Sequence, residues 1–344
     1  MLIGRFALNM KCQKIFFLAA FLLAAACSKN KDSNQQASPE KPVRVVNVPR
    51  VNADSVYHFV KKQVDFGPRV PNSKAHREAG DYFIKTLKKY GAVVTEQKFT
   101  SPSYDGQQLA LRNIIASFYP NQQKRILLAA HWDTRPFADK DEKNPNALMD
   151  GANDGASGVG VLLEIARLLK NNPSPGVGID IILFDGEDWG EREGEQRTHP
   201  LPEGLQEWWC LGSQYWAKHK HKPNYSAYYG ILLDMVGGKN ARFPREGFSL
   251  EYAPSVVEKV WNTASRLGYS HVFVRKNEGG ITDDHRFVSE VGKIPMIDIV
   301  CADPVTSYFG DFHHTTSDSM EIISKETLQI VGDVLLNVLY YEEP

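Results

Sequence analysis

The sequence predicts an α/β protein, a three-layer α/β/α sandwich around a mixed central β-sheet, and three observations predict it. Short apolar runs with β-type residues alternate along the chain with amphipathic helical segments. Charged and imidazole side chains gather where several of those runs end, as in sheets whose strand ends share one rim. With 344 residues, 42% of them hydrophobic and 24% charged, the chain can bury one large core, so a single domain is expected. The formal net charge of -1, with no cluster of Lys and Arg interleaved with aromatics, excludes a nucleic-acid-binding face.

Residues 1–26 stand outside that fold. Met10-Lys11-Cys12-Gln13-Lys14 is a short positive region, Ile15 to Ala26 is an apolar run too short to span a membrane as a stable helix, and Ala24, Ala25 and Ala26 precede Cys27. This resembles a bacterial lipoprotein signal, which implies cleavage before Cys27 and lipid attachment at that residue. Residues 27–50 are poor in large apolar side chains over most of their length and are expected to form a flexible tether. Ser28 after the anchor is not an inner-membrane retention signal. The expected location is therefore the periplasm-facing side of the envelope, at the outer membrane, with the lipid as the sole membrane contact. The folded domain is expected over 51–344.

The elements follow in order. Val56, Phe59, Val60 and Val64 fall at helical spacing behind an Asp54 or Ser55 cap, and Lys74 to Tyr90 forms a second helix ended by Gly91. Val93–Phe99, Leu109–Phe118 and Arg125–His131 alternate or run apolar as strands do, Ala156–Lys170 is a helix closed by Asn171-Asn172-Pro173, and Gly178–Asp185 is a buried strand. Past a polar insertion from Gly190 to Glu207 come a helix near Leu211–His219, a strand Tyr228–Asp234 and a helix Pro254–Leu267. A helix Asp283–Val291, a strand Ile294–Val300 and a last amphipathic helix from Lys325 to about Tyr341 complete the domain. Of the four cysteines, Cys12 lies in the signal segment and Cys27 is the expected lipid anchor. Cys210 and Cys301 are expected as two buried thiols, with one disulfide between them as the alternative.

The strand ending in Asp185-Gly186-Glu187-Asp188 carries the sharpest signal. Desolvating an unpaired carboxylate costs several kcal/mol or more, so adjacent acids at the end of a buried strand call for a cation. Asp154, in Asp150-Gly-Ala-Asn-Asp-Gly-Ala-Ser-Gly158, lies where small residues let backbone approach a ligand. Taken alone it also suits a helix cap. His314 follows His313 and precedes Thr315-Thr-Ser-Asp318, a cluster able to hold an imidazole by hydrogen bonds. Two Asp and one His give a zinc ion three protein ligands and leave a position open, the layout of a catalytic site.

The series His131-x-Asp133, Asp154, Glu187-Asp188, Asp234 and His314 resembles, in order and from about Phe66 to Asp318, the zinc aminopeptidase family. Phe184-Asp-Gly-Glu-Asp188, Leu232-Leu-Asp234 and Thr282-Asp-Asp-His-Arg-Phe287 are similar to the animal-type glutaminyl cyclases within it. The resemblance implies a zinc aminopeptidase-like fold and a cyclotransferase domain that closes the N-terminal glutamine of peptides and exported proteins to pyroglutamate, releasing ammonia. It implies one zinc held by Asp154, Asp188 and His314, with Glu187 as general acid and base. Asp234 and Asp283 become a hydrogen-bonded acidic network near the substrate, and Phe309 a wall of the pocket. Trp189, next to the catalytic pair, is expected as a further wall in preference to Trp208 or Trp209. The pattern departs at His313, where the animal enzymes have tryptophan, at Asp298, where they have histidine, and at Asp188, where they have glutamate.

Two other readings compete. A two-zinc aminopeptidase would use Asp154 as a bridge, His131 and Asp234 for the second ion, and Glu187 to activate water. A binding protein that keeps the fold without catalysis predicts lost ligands, and none of these side chains is lost.

Overall fold

The structure, a computed structural model, describes residues 46–192, 194, 199–303 and 309–343. The expected signal segment, Cys27 and the tether up to residue 45 lie outside the described residues. No helix among the described residues is long and apolar enough to cross a membrane.

In chain order the elements are α1 (Ala53–Val64), α2 (Lys74–Lys89), β1 (Val93–Pro102), β2 (Gln108–Phe118), β3 (Arg125–His131), α3 (Ala156–Asn171), β4 (Gly178–Phe184), α4 (Leu211–Lys218), β5 (Tyr229–Asp234), β6 (Phe243–Arg245), α5 (Gly247–Tyr252), α6 (Pro254–Arg266), β7 (Phe273–Asn277), α7 (Asp284–Glu290), β8 (Met296–Val300) and α8 (Lys325–Tyr340), with a 3-10 turn at Met320–Ile322. A six-stranded sheet runs β1-β2-β4-β3-β5-β8. β1, β2 and β4 pair antiparallel, whereas β4, β3, β5 and β8 are parallel. The sheet is thus mixed, as expected.

The layers follow from the twofold alternation of strand side chains. Ile126, Leu128 and Ala130 of β3 and Ile179, Ile181 and Leu183 of β4 join a core with α1, α2, α3, α6 and α8. Their neighbours Leu127, Ala129, Ile182 and Phe184 face the other way, onto Trp216 of α4 and Val288 of α7. Strands buried on both faces have to be continuously apolar. That is why Ile179–Phe184 carries a single charge, at Asp180.

Several expectations change. The cap of α1 is Asn52, whose side chain accepts from the Ser55 amide, instead of Asp54 or Ser55. The short elements β6, α5 and β7 were not anticipated. β7 buries only its first residue and so shows no alternation, and α5 is capped by a glutamate, Glu246, which is not a usual cap residue. Both described cysteines are free, with Cys210 buried and Cys301 half-buried instead of buried.

Candidate active site

Because β4, β3 and β5 are parallel neighbours, their carboxyl ends fall on one edge, with His131 in register with Phe184. The edge therefore presents His131, Asp185 to Asp188 and Asp234 together. Asp154 arrives from the turn before α3. That helix has no side-chain cap, and its N-cap position is Gly155 at φ 35, so Asp154 is not the cap. A Cβ on Gly155 would lie 2.6 Å from the His131 carbonyl oxygen, a contact only glycine avoids.

The Asp154 turn is held from two distant places. The buried Arg69 donates to the carbonyls of Trp132 (3.2 Å), Asp150 (2.6 Å) and Gly151 (2.7 Å). The Asp318 carboxylate accepts from the amides of Asn153 (2.7 Å) and Asp154 (3.0 Å). Asp133 plays the same part beneath the acidic pair, accepting from the amides of Glu187 (3.1 Å) and Asp188 (3.2 Å).

Two clusters share Asp154. In one, His131 Nε2 lies 3.0 Å from Asp154 Oδ1 and 3.1 Å from Asp234 Oδ1, while the Gly155 amide points at the same nitrogen from 3.2 Å. In the other, His314 Nε2 lies 3.2 Å from Asp188 Oδ1 and 3.8 Å from Asp154 Oδ2. Asp188 Oδ2 accepts from the Arg135 amide at 2.8 Å, but Oδ1 is buried with no hydrogen-bond donor among the described residues. His314 adopts φ 57, an uncommon conformation for a non-glycine residue and one that clusters at functional sites. Its ring lies parallel to Trp209, 5.8 Å away and tilted by 4°. The Thr-Thr-Ser-Asp segment does not hold the imidazole. Thr315 bonds the carbonyls of Asp311 and Phe312, Thr316 bonds Asp141, and Asp318 secures the Asp154 turn. His313 joins Asp154 and His314 in a group with metal-ligand spacing, as do His131, Asp154 and Asp234.

The charges are distributed to match. Burial and the nearby Arg135 lower His314 to about 3, which leaves a neutral imidazole with a free lone pair. Burial works to raise Asp154, but the hydrogen bond and charge of His131 outweigh it and keep that acid ionised. Burial, reinforced by the charge of Asp154, pushes Asp188 well above the usual carboxylate range. Burial likewise raises Glu187, with Asp283, Asp188 and Asp284 adding to the effect and His131 opposing it.

Glu187, Asp234, Asp283, Trp209 and Phe309 line one cavity of about 440 Å³ together with Asp154, Asp188 and His314. Trp189 does not line it. Its ring is buried among Phe99, Tyr104, Phe137, Trp208 and Leu211, and Trp209 lines the pocket instead. Asp234 and Asp283 are not hydrogen-bonded to each other. Asp234 bonds His131 at 3.1 Å, whereas Asp283 caps α7 through the Asp284 amide at 2.5 Å and pairs with the Asp298 carboxyl. Asp298 is fully buried and lies behind the pocket, in a group with Asp283 and His285. Arg69 and Arg135 were not singled out in the sequence, and Cys210 and Asp318 were named there without the partners they have. A buried arginine and a lone cysteine carry no local pattern that distinguishes them.

Residues 113–339 match the family described as Peptidase family M28, and the chain belongs to this family. A Zn-dependent exopeptidase from Parabacteroides distasonis is 50% identical, covers 86% of this chain and all of its own, and superposes with a TM-score of 0.82. A Bacteroides thetaiotaomicron glutaminyl cyclase, solved with N-acetylhistamine, is 49% identical with the same coverage and a TM-score of 0.82. Aminopeptidase YwaD of Bacillus subtilis is 28% identical over 79% of this chain, which spans 54% of that relative's length.

Proposed function

We propose that this chain is a zinc-dependent glutaminyl-peptide cyclotransferase, which converts the N-terminal glutamine of peptides and exported proteins to pyroglutamate and releases ammonia. What carries the reading is the near-half identity with a solved glutaminyl cyclase across that whole chain. The placing of Glu187, Asp234 and Asp283 on one pocket wall supports it. Zinc fits Asp154, Asp188 and His314: an ionised acid, a neutral imidazole and a buried carboxylate oxygen without a donor are the donor set such an ion takes. When bound, zinc supplies Lewis-acid polarisation of the glutamine γ-carbonyl.

The rest is the work of the chain's own side chains. N-terminal glutamine carries its nucleophile, so the pocket has to hold the α-amine against the γ-carbon instead of recruiting water. Asp234 and Asp283 accept hydrogen bonds from the amine end, and Trp209 and Phe309 enclose the methylenes. As the amine nitrogen bonds the γ-carbon and the bond to the amide nitrogen breaks, Glu187 takes the amine proton and delivers it to the departing ammonia. A raised Glu187 suits both halves of that transfer.

A two-metal aminopeptidase is the second reading, favoured by the spacing of His131, Asp154 and Asp234. Against it stands the 49% identity with a solved glutaminyl cyclase over the whole of that chain. A Gln-initiated peptide, assayed before and after chelation, separates the two. Chelator-sensitive ammonia release with one zinc per chain supports the cyclase, whereas free glutamine with two zinc ions overturns it.

Attachment to the periplasm-facing side of the outer membrane through Cys27 is a further part of the proposal, supported by the positive and apolar segments before that residue. Loss of labelled fatty acid in a Cys27→Ala chain tests it.

A further inference from the structure

The loop after β4 turns Glu187 toward the pocket amid Asp283, Asp188 and Asp284, which act on it through their charge. None of those carboxylates orients it by donating a hydrogen bond. Among the described residues the donor to the Glu187 carboxyl is the thiol of Cys210, with Sγ 3.2 Å from Oε1. The thiol reaches it because the segment before α4 is laced to the loop after β4. The Cys210 amide donates to the Glu187 carbonyl and the Leu211 amide to the Gly186 carbonyl, each at 2.9 Å. This lacing turns on a left-handed residue, Cys210 at φ 57 and ψ 36. That conformation is strained for a non-glycine residue, and glycine is the unstrained choice for it. The chain nevertheless keeps a side chain there. Cys210 is fully buried and does not line the pocket, so it can act on a substrate only through Glu187.

We infer that Cys210 is a positioning residue, whose thiol holds Oε1 of Glu187 so that Oε2 faces the pocket. The inference rests on the reading of Glu187 as the proton carrier. A thiol suits that task because S–H is a weak donor and sulfur a weak acceptor. The contact can persist while Glu187 alternates between carboxylate and acid. A lysine or arginine at the same place would hold the carboxylate form only, and an apolar side chain would leave the carboxyl free to rotate.

The test compares zinc-loaded wild type, Cys210→Ala, Cys210→Gly, Cys210→Ser, Glu187→Gln and the Ala/Gln double variant on a Gln-initiated peptide. It separates kcat from KM and records zinc content and melting temperature. Losing the donor is expected to lower kcat about tenfold, the worth of one hydrogen bond to a charged group, with KM and zinc unchanged. Serine, a slightly shorter but better donor, is expected to restore most of kcat. Cys210→Gly removes the thiol while relieving the left-handed turn, which offsets part of the cavity it leaves, so it should lose kcat while melting no lower than the alanine variant. In the Glu187→Gln background the alanine change should add nothing. Wild-type kcat in the glycine or alanine variant, with Glu187→Gln inactive, overturns the inference and leaves the reading of Glu187 standing. Activity in Glu187→Gln overturns that reading and the inference with it. A serine variant as slow as alanine, with both melting lower, makes Cys210 a packing residue and also overturns the inference.

Discussion

Strand β4 carries one buried acid near its start, Asp180, and the loop after it carries another, Asp188, and the fold treats them oppositely. Asp180 is enclosed by donors: Arg125 at 2.5 and 2.7 Å, Ser117 at 2.6 Å and Tyr225 at 2.8 Å. Asp188 has the Arg135 amide on one oxygen, while the other has no donor among the described residues and the Arg135 guanidinium stays 3.9 Å away. Burying either charge costs several kcal/mol unless it is compensated. The chain supplies a close cation for Asp180, whereas Oδ1 of Asp188 faces only His314 Nε2 at 3.2 Å and the more distant Arg135. On the proposed reading that gap is the place a metal fills.

That contrast can be broken most directly at Asp188. Asp188→Asn is expected to lose zinc and, with it, ammonia release, as metal analysis after dialysis would show; a variant that retains zinc would remove Asp188 from the ligand set. Next in size is Glu187→Gln, expected to keep its zinc and lose roughly 100- to 10,000-fold in rate, the usual worth of a general acid and base. Substantial activity in that variant would sink the assignment. Asp180→Asn should do the reverse of Asp188→Asn. Leaving the half-buried Arg125 without its carboxylate should cost about 2–3 kcal/mol in chemical denaturation, while zinc content and turnover per folded molecule stay put.

The smallest expected effect concerns Glu246, another saturated acid. Burial opposes its ionisation, but the hydrogen bond and charge of His285 and the Ser249 donors prevail and lower it from 4.5 to about 2. A depressed acid adds stability above its unfolded value that disappears as pH falls through the folded one. Wild type should therefore lose about 2 kcal/mol between roughly pH 4.5 and 2 that Glu246→Gln does not lose over the same range. Parallel acid-unfolding curves for the two proteins would contradict this.

Much of this was legible beforehand, for physical reasons that differ by residue. β3 has the bounds its apolar run implied, and β4 and α3 differ from expectation by a residue, because a strand buried on both faces must change character where it leaves the core. Glu187, Asp188 and Asp234 stood out because acids are anomalous at such ends. Trp209 was not separable from Trp189, since tertiary packing and not sequence spacing decides which ring meets the pocket. β6 and α5 are too short to show a period, and Arg69, Cys210 and Asp318 act through partners far away in sequence.

The Asp154 turn carries one more consequence. Its amide is bonded to a carboxylate 164 residues further along, and its flanking carbonyls to an arginine more than 80 residues before. Contacts of such separation carry a loop-closure entropy that has to be paid before they reward the chain. On the proposed reading, the turn that offers Asp154 is therefore fixed only once the segment carrying His314 and Asp318 has docked. A chain truncated before His314 is expected to bind zinc weakly. Zinc content would then report whether the first and last segments of the molecule have found each other.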